Sequence, residues 1–309
     1  MKIVFRKETE NLSMKGAFED FVVSQMAKGV SDKTVETYRS HFKSIGKYLD
    51  TEMTFGALKQ ADLDRMIVSM RQNGLAQNSI SSYLRVFRTF LHWCAREGYT
   101  TLDVPNYKQV ETVKETYTDE ELRKLLRKPD VHKCIFTTYR SWVIINFLLS
   151  TGVRQNSLVN IKIKEVDFDN SVVYVNTTKN RKPLIIPLNE DILKILQEYL
   201  HYRGGNENDW LFCSIYGKQL TRSSCYHAIW DYCHERGLQK TGVHRFRHTF
   251  AKKWAIMGGS VVTLQKILGH SSLAITQNYL NILTSDLKKD VDKVNILRSL
   301  KQESIRMRA

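Results

Sequence analysis

Four short stretches of this chain gather cations and proton carriers at spacings that could do chemistry. "TGVRQNSL" places Arg154 just after an apolar run, and "TTKNRKPLIIPL" sets Lys179, Arg181 and Lys182 in one basic turn. "HRFRH" puts His244 and Arg247 three apart, hence on one helical face. "LGHSSLAITQNYL" then supplies His270 and Tyr279. Two arginines, a lysine, two histidines and a tyrosine suit transesterification at a phosphodiester. Guanidinium forks match the non-bridging oxygens, keep their charge, and can stabilise a pentacoordinate phosphorane without a metal ion. A tyrosine becomes a nucleophile once a base takes its proton and nearby cations lower its pKa. The poor alkoxide leaving group needs a proton donor, a task that fits a lysine.

Other chemistries fit less well. His244 and His248 have the i, i+4 spacing of a zinc pair, but no Glu follows His244 and no third ligand stands nearby, so His248 reads as structural. No G-x-x-x-x-G-K-[ST] loop occurs. The five cysteines are odd in number and lack paired spacing, which reads as buried thiols in a reducing compartment. No run approaches 18 apolar residues, and "MKIVFRKETE" is too short in apolar residues for a secretory signal. A cytoplasmic protein is the expectation. Its 47 Lys and Arg against 32 Asp and Glu, a net +15, point to a polyanionic partner.

Helices must position these groups. "SDKTVETYRSHFKSIGKYL" opens with Ser31 as an N-cap and repeats Val35, Tyr38, Phe42, Ile45 and Leu49 at helical steps. The next helix carries Ile80, Leu84, Phe87, Leu91 and Cys94 and is stopped by Gly98. Arg85, Arg88 and Arg96 lie off its apolar stripe. "TTLDVPNYKQVETVKE" has no apolar period and reads as a linker. A second domain opens where Thr118 and Glu121 have capping-box spacing. "WVIINFLL" reads as a buried helix, "NSVVYVNTTKNRKPLIIPL" as a short hairpin, and helices resume near Asp191. After Tyr279, Leu287, Val291, Val294 and Leu297 mark an amphipathic tail helix.

Taken in order, these boxes resemble the Arg, Lys, His-x-x-Arg, His and Tyr boxes of the tyrosine recombinase (phage integrase) family, over residues from about Ser13 to Leu283. The resemblance implies a mainly α fold: a helical SAM-like core-binding domain and a mixed, mostly helical catalytic domain with a small β-hairpin or sheet, forming a C-shaped DNA clamp. The expected bounds are an extension over 1–12, core-binding domain 13–100, linker 101–116, catalytic domain 117–285 and tail 286–309. By motif, Arg154 and Arg247 would clamp the scissile phosphate and Tyr279 would attack it, leaving a 3′-phosphotyrosyl link. Lys179 would be the general acid, His244 the base for the tyrosine proton, and His270 a hydrogen-bond donor to a phosphate oxygen. Arg85, Arg88, Arg181 and Lys182 would touch DNA. Ser157 departs from the pattern, standing where the family usually has an acidic residue.

The implied function is site-specific recombination of double-stranded DNA at inverted-repeat core sites, by a homotetramer on DNA that is a monomer in solution. It would need neither metal, cofactor nor ATP, and would work in the cytoplasm on the nucleoid. The few residues before the first helix imply no separate arm-binding domain, as in Xer-like or mobile-element enzymes. The tail would dock on a neighbouring protomer or fold back on its own. Two rivals are a type IB topoisomerase, which shares the chemistry, and a DNA-binding regulator that has lost catalysis.

Overall fold

The computed structural model describes residues 12–107, 115–177 and 183–270, with 272 and 276. Lys179, Arg181, Lys182, Tyr279 and the tail fall outside them. The chain divides into two compact units, Met1–Thr112 and Val113–Ala309.

The first unit is helical: α1 (Met14–Ala27), α2 (Asp32–Ile45), α3 (Gln60–Gln72) and α4 (Gln77–Arg96). The expected stripe on α4 is buried throughout, from Ile80 to Cys94. Its aromatic Phe90 meets the stacked pair Phe18 and Phe42 edge-on. Gly98 takes the left-handed conformation (φ 82°), letting the Tyr99 N–H reach back to the Cys94 carbonyl and close the helix. Two details differ from the sequence reading. Ser31 holds the N-cap of α2, but its hydroxyl meets Thr34 Oγ1 at 2.9 Å and caps no backbone N–H. The helix also ends at Ile45, so Leu49 is buried from the turn beyond it.

In the second unit, α5 (Asp119–Leu126) begins with the expected capping box, Thr118 and Glu121 each holding the other's N–H. α6 (Phe136–Thr151), with buried residues on all its faces from Tyr139 to Thr151, is the central helix. It is packed by α5, α8 (Glu190–Arg203), α9 (Arg222–His234) and α10 (Val243–Ile256). A helix with apolar residues on every face needs such neighbours all round. Between α6 and α8 lie the short α7 (Gln155–Leu158) and an antiparallel sheet of β1 (Val166–Asp167), β2 (Val172–Val175) and β3 (Leu184–Pro187). β2 and β3 are the expected hairpin, with Val173 opposite Ile186 and Val175 opposite Leu184. β1, too short for any alternation to show, adds a third strand. α11 (Val261–Leu268) packs on α10 through a small core of Phe250, Ala251, Leu264 and Leu268.

Among the described residues no helix is long and apolar enough to cross a membrane. All five cysteines are free thiols, four of them buried, and burial pushes the Cys225 thiol up to about 11. Thiols held protonated in this way are weak nucleophiles.

Candidate active site

Three helix ends meet to build the site. α6 stops at Gly152, whose left-handed backbone (φ 60°) turns the chain so that Arg154 sits at the N-cap of α7. This glycine has no room to be anything else. A Cβ on it would lie 2.4 Å from a Phe250 ring carbon and 2.8 Å from Leu268 Cδ2. α11 stops at Gly269, again left-handed at φ 60°, and delivers His270 as the next residue. α10 crosses between them and carries His244 and Arg247 in its first two turns.

Arg247 is 4% exposed. Its Nη1 donates to the Gly152 carbonyl at 2.7 Å, and its Nη2 donates to the Leu268 carbonyl at 2.8 Å and to His270 Nε2 at 2.8 Å. Arg154 Nη1 donates to the same Leu268 carbonyl at 3.1 Å. Two permanent cations are therefore drawn together by one backbone oxygen at the C-terminus of α11, where the carbonyl dipoles favour positive charge. His270 is buried and its Nδ1 lies 2.8 Å from the hydroxyl of Thr276, itself fully buried.

His244 exposes much of its area at the start of α10, yet it feels both guanidiniums. The protein atoms around its ring, then Arg247 and Arg154, hold its imidazole below the usual histidine range. A neutral imidazole is the form that can accept a proton.

The start of α10 is braced from behind. Tyr117 lies buried against Phe246, under the Arg245 guanidinium. The Tyr117 N–H donates to Thr249 Oγ1 at 2.9 Å, and Arg245 Nη2 donates to the Thr116 carbonyl at 3.0 Å. The sequence reading missed this brace. The only signal for it was an aromatic residue at the edge of the presumed linker.

Ser157 Oγ donates to the Thr177 carbonyl at 2.6 Å. It thus ties α7 to the chain just before the basic turn, a link a carboxylate could not make to a carbonyl. Lys179, Arg181, Lys182 and Tyr279 lie outside the described residues. Of the other tyrosines near in sequence, Tyr232 is buried, donates to the Leu125 carbonyl at 3.1 Å and has its hydroxyl pKa raised by burial, while Tyr226 is exposed. Among the described residues no three His, Cys, Asp or Glu side chains lie close enough to share a metal ion, and His248 sits half-buried on α10. In the first unit Arg85 is exposed, whereas Arg88 Nη2 is occupied by the Val104 and Pro105 carbonyls at 3.1 and 3.0 Å.

Residues 115–285 match the model of the phage integrase family, over half of the chain, and residues 21–98 match that of the phage integrase N-terminal SAM-like domain. Tyrosine recombinase XerD of Listeria innocua is 26% identical over 279 residues, covering 84% of this chain and 92% of that protein. Among solved structures, the Tn1549 transposon integrase in complex with a circular intermediate DNA superposes with a TM-score of 0.74 at 18% identity, covering 91% of this chain and 99% of that one. A lambda integrase tetramer bound to a Holliday junction gives 0.72 at 18% identity, covering 87% and 77%. At such identities the two structures speak for the fold.

Proposed function

This chain belongs to the phage integrase family, and from that premise we propose a site-specific tyrosine recombinase that cuts and rejoins duplex DNA through a 3′-phosphotyrosyl intermediate. The observation that carries this reading is the convergence of Arg154 and Arg247 on the Leu268 carbonyl, with His270 beside them. A phosphate offers the same acceptor chemistry as that carbonyl and more charge, so it can take over these donors.

The proposed reaction runs as follows. Tyr279 Oη attacks phosphorus while its proton passes to neutral His244. The bond to O5′ breaks as Lys179 protonates the leaving oxygen. Arg154 and Arg247 hold the charge that builds on the non-bridging oxygens, and His270 donates to one of them. One phosphoester bond is exchanged for another, so a 5′-hydroxyl of a second strand can reverse the step without ATP.

DNA is the proposed partner, and the relatives' DNA complexes support that reading. The net charge of +15 supplies the phosphate attraction. Inverted-repeat core sites, a homotetramer on DNA built from monomers, and action on the nucleoid in the cytoplasm belong to the same proposal. A nicked suicide duplex, incubated with the protein in excess EDTA, tests it. A covalent protein–DNA adduct is expected. Retarded DNA without an adduct indicates a binding regulator, and an adduct that needs magnesium overturns the arginine-based mechanism.

A further inference from the structure

Two of the contacts of His270 bear on where its proton sits. Arg247 Nη2 approaches Nε2 at 2.8 Å, and a guanidinium has only donors. In this contact Nε2 is the acceptor, which places the proton of a neutral ring on Nδ1. There it is donated to Thr276 Oγ1, 2.8 Å away and shut from solvent. This is the reverse of what a donor to phosphate requires, since that nitrogen is the one Arg247 now faces.

We propose that Thr276 is the positioning residue that accepts the Nδ1 proton of His270 and lets the tautomer invert when a phosphate binds. A threonine hydroxyl can accept or donate. Without DNA it accepts from Nδ1–H. When a phosphate oxygen takes the Arg247 Nη2–H, the hydroxyl turns and donates to a bare Nδ1. Nε2 takes a proton from water as the phosphate enters, and Nδ1 loses one to water when the Thr276 contact opens, so the ring stays neutral and now presents Nε2–H to the phosphate. Thr276 also stands three residues before Tyr279 in the sequence. The second half of this inference rests on the recombinase reading; the DNA-free tautomer does not.

Nitrogen-15 NMR of the full chain labelled at histidine reads the tautomer directly, with His270→Gln assigning the signals. In the DNA-free protein Nδ1 is expected in the protonated, pyrrole-like range and Nε2 in the bare, pyridine-like range. Thr276→Ser should keep that pattern. Thr276→Val leaves Nδ1–H without its acceptor while Arg247 still faces Nε2, so the DNA-free pattern should persist. A nicked duplex that traps the adduct should invert the pattern in the wild type. On that duplex, Thr276→Val should slow adduct formation at least tenfold and Thr276→Ser should restore it. A wild-type ring protonated at Nε2 without DNA overturns the proposal with no variant needed. So does adduct formation by a folded Thr276→Val protein within threefold of the wild-type rate. Failure of the wild type to form any adduct counts against the recombinase reading, separately from the DNA-free pattern.

Discussion

Arg154 and Arg247, 93 residues apart in sequence, donate to one and the same acceptor, the Leu268 carbonyl, at 3.1 and 2.8 Å. Like charges brought this close gain only where an anion or an array of carbonyls compensates them. The end of α11 provides the carbonyls, and a phosphate would provide the anion.

Lysine should not replace either arginine. Arg247→Lys keeps the charge but loses the fork that spans the Gly152 and Leu268 carbonyls. A loss of about 10²–10³ in adduct rate is expected, the scale of removing one preorganised donor. Single-turnover kinetics on a suicide duplex measures it, and a fall of less than fivefold contradicts the clamp.

Gly152 should be the least tolerant glycine near the site. Ala there meets the Phe250 ring and Leu268 in addition to the left-handed strain, about 1–2 kcal/mol for strain and about 1–3 for overpacking. Gly217, also left-handed at φ 71°, would meet nothing within 4 Å and carries the strain alone. Thermal melting of Gly152→Ala and Gly217→Ala should therefore separate by several degrees, with Gly152→Ala the lower. Equal melting points would show that Phe250 and Leu268 yield freely.

His244 should titrate below the ordinary histidine value of about 6.5, because the protein atoms packed around part of its ring, and then the charges of Arg247 and Arg154, disfavour its cation. With the folded pKa depressed, the folded chain binds fewer protons than the unfolded one between the two values. The stability is present above the unfolded value and is lost as pH falls through that window. An NMR titration of the His244 ring protons should give a midpoint below about 6.5, and Arg154→Gln should raise it. A wild-type midpoint at or above the ordinary value contradicts the reading of His244 as a base kept neutral.

The two arginines of α4 should behave differently. Arg85 is exposed, and if it meets a phosphate, Arg85→Ala lowers affinity and flattens the salt dependence by about one unit of slope. Arg88 holds the Val104 and Pro105 carbonyls, so Arg88→Ala should lower the melting temperature and leave the salt slope alone. Affinity measured across a salt series, beside thermal melting, checks both. A reduced slope for Arg88→Ala would return it to the DNA-contacting set.

What could be read from the sequence was what periodicity and spacing encode. The α4 stripe, the Thr118 capping box, the hairpin and the three-residue step from His244 to Arg247 all have local signatures. Backbone acceptors have none. The Leu268 and Gly152 carbonyls that gather the arginines could not be seen in residue types, although the glycines at 152 and 269 marked where the chain had to turn. Thr276 carried no signal of its own, because its meaning depends on the buried ring beside it. Arg88 looked equivalent to Arg85 since both lie off the stripe, and only the packing of residues 103–105 against α4 tells them apart.

In the proposed mechanism Tyr279 is the nucleophile served by this arginine pair. Tyr279→Phe removes one oxygen, so DNA affinity should stay within about twofold of wild type if only bond making is lost. The decisive measurement is denaturing electrophoresis of wild-type and Tyr279→Phe protein on a nicked suicide duplex selected by binding from random DNA, with the adduct peptide mapped by mass spectrometry. A wild-type adduct on Tyr279 and none from the variant are expected. An adduct formed by Tyr279→Phe, or one mapped to Tyr226 or Tyr232, would contradict this mechanism.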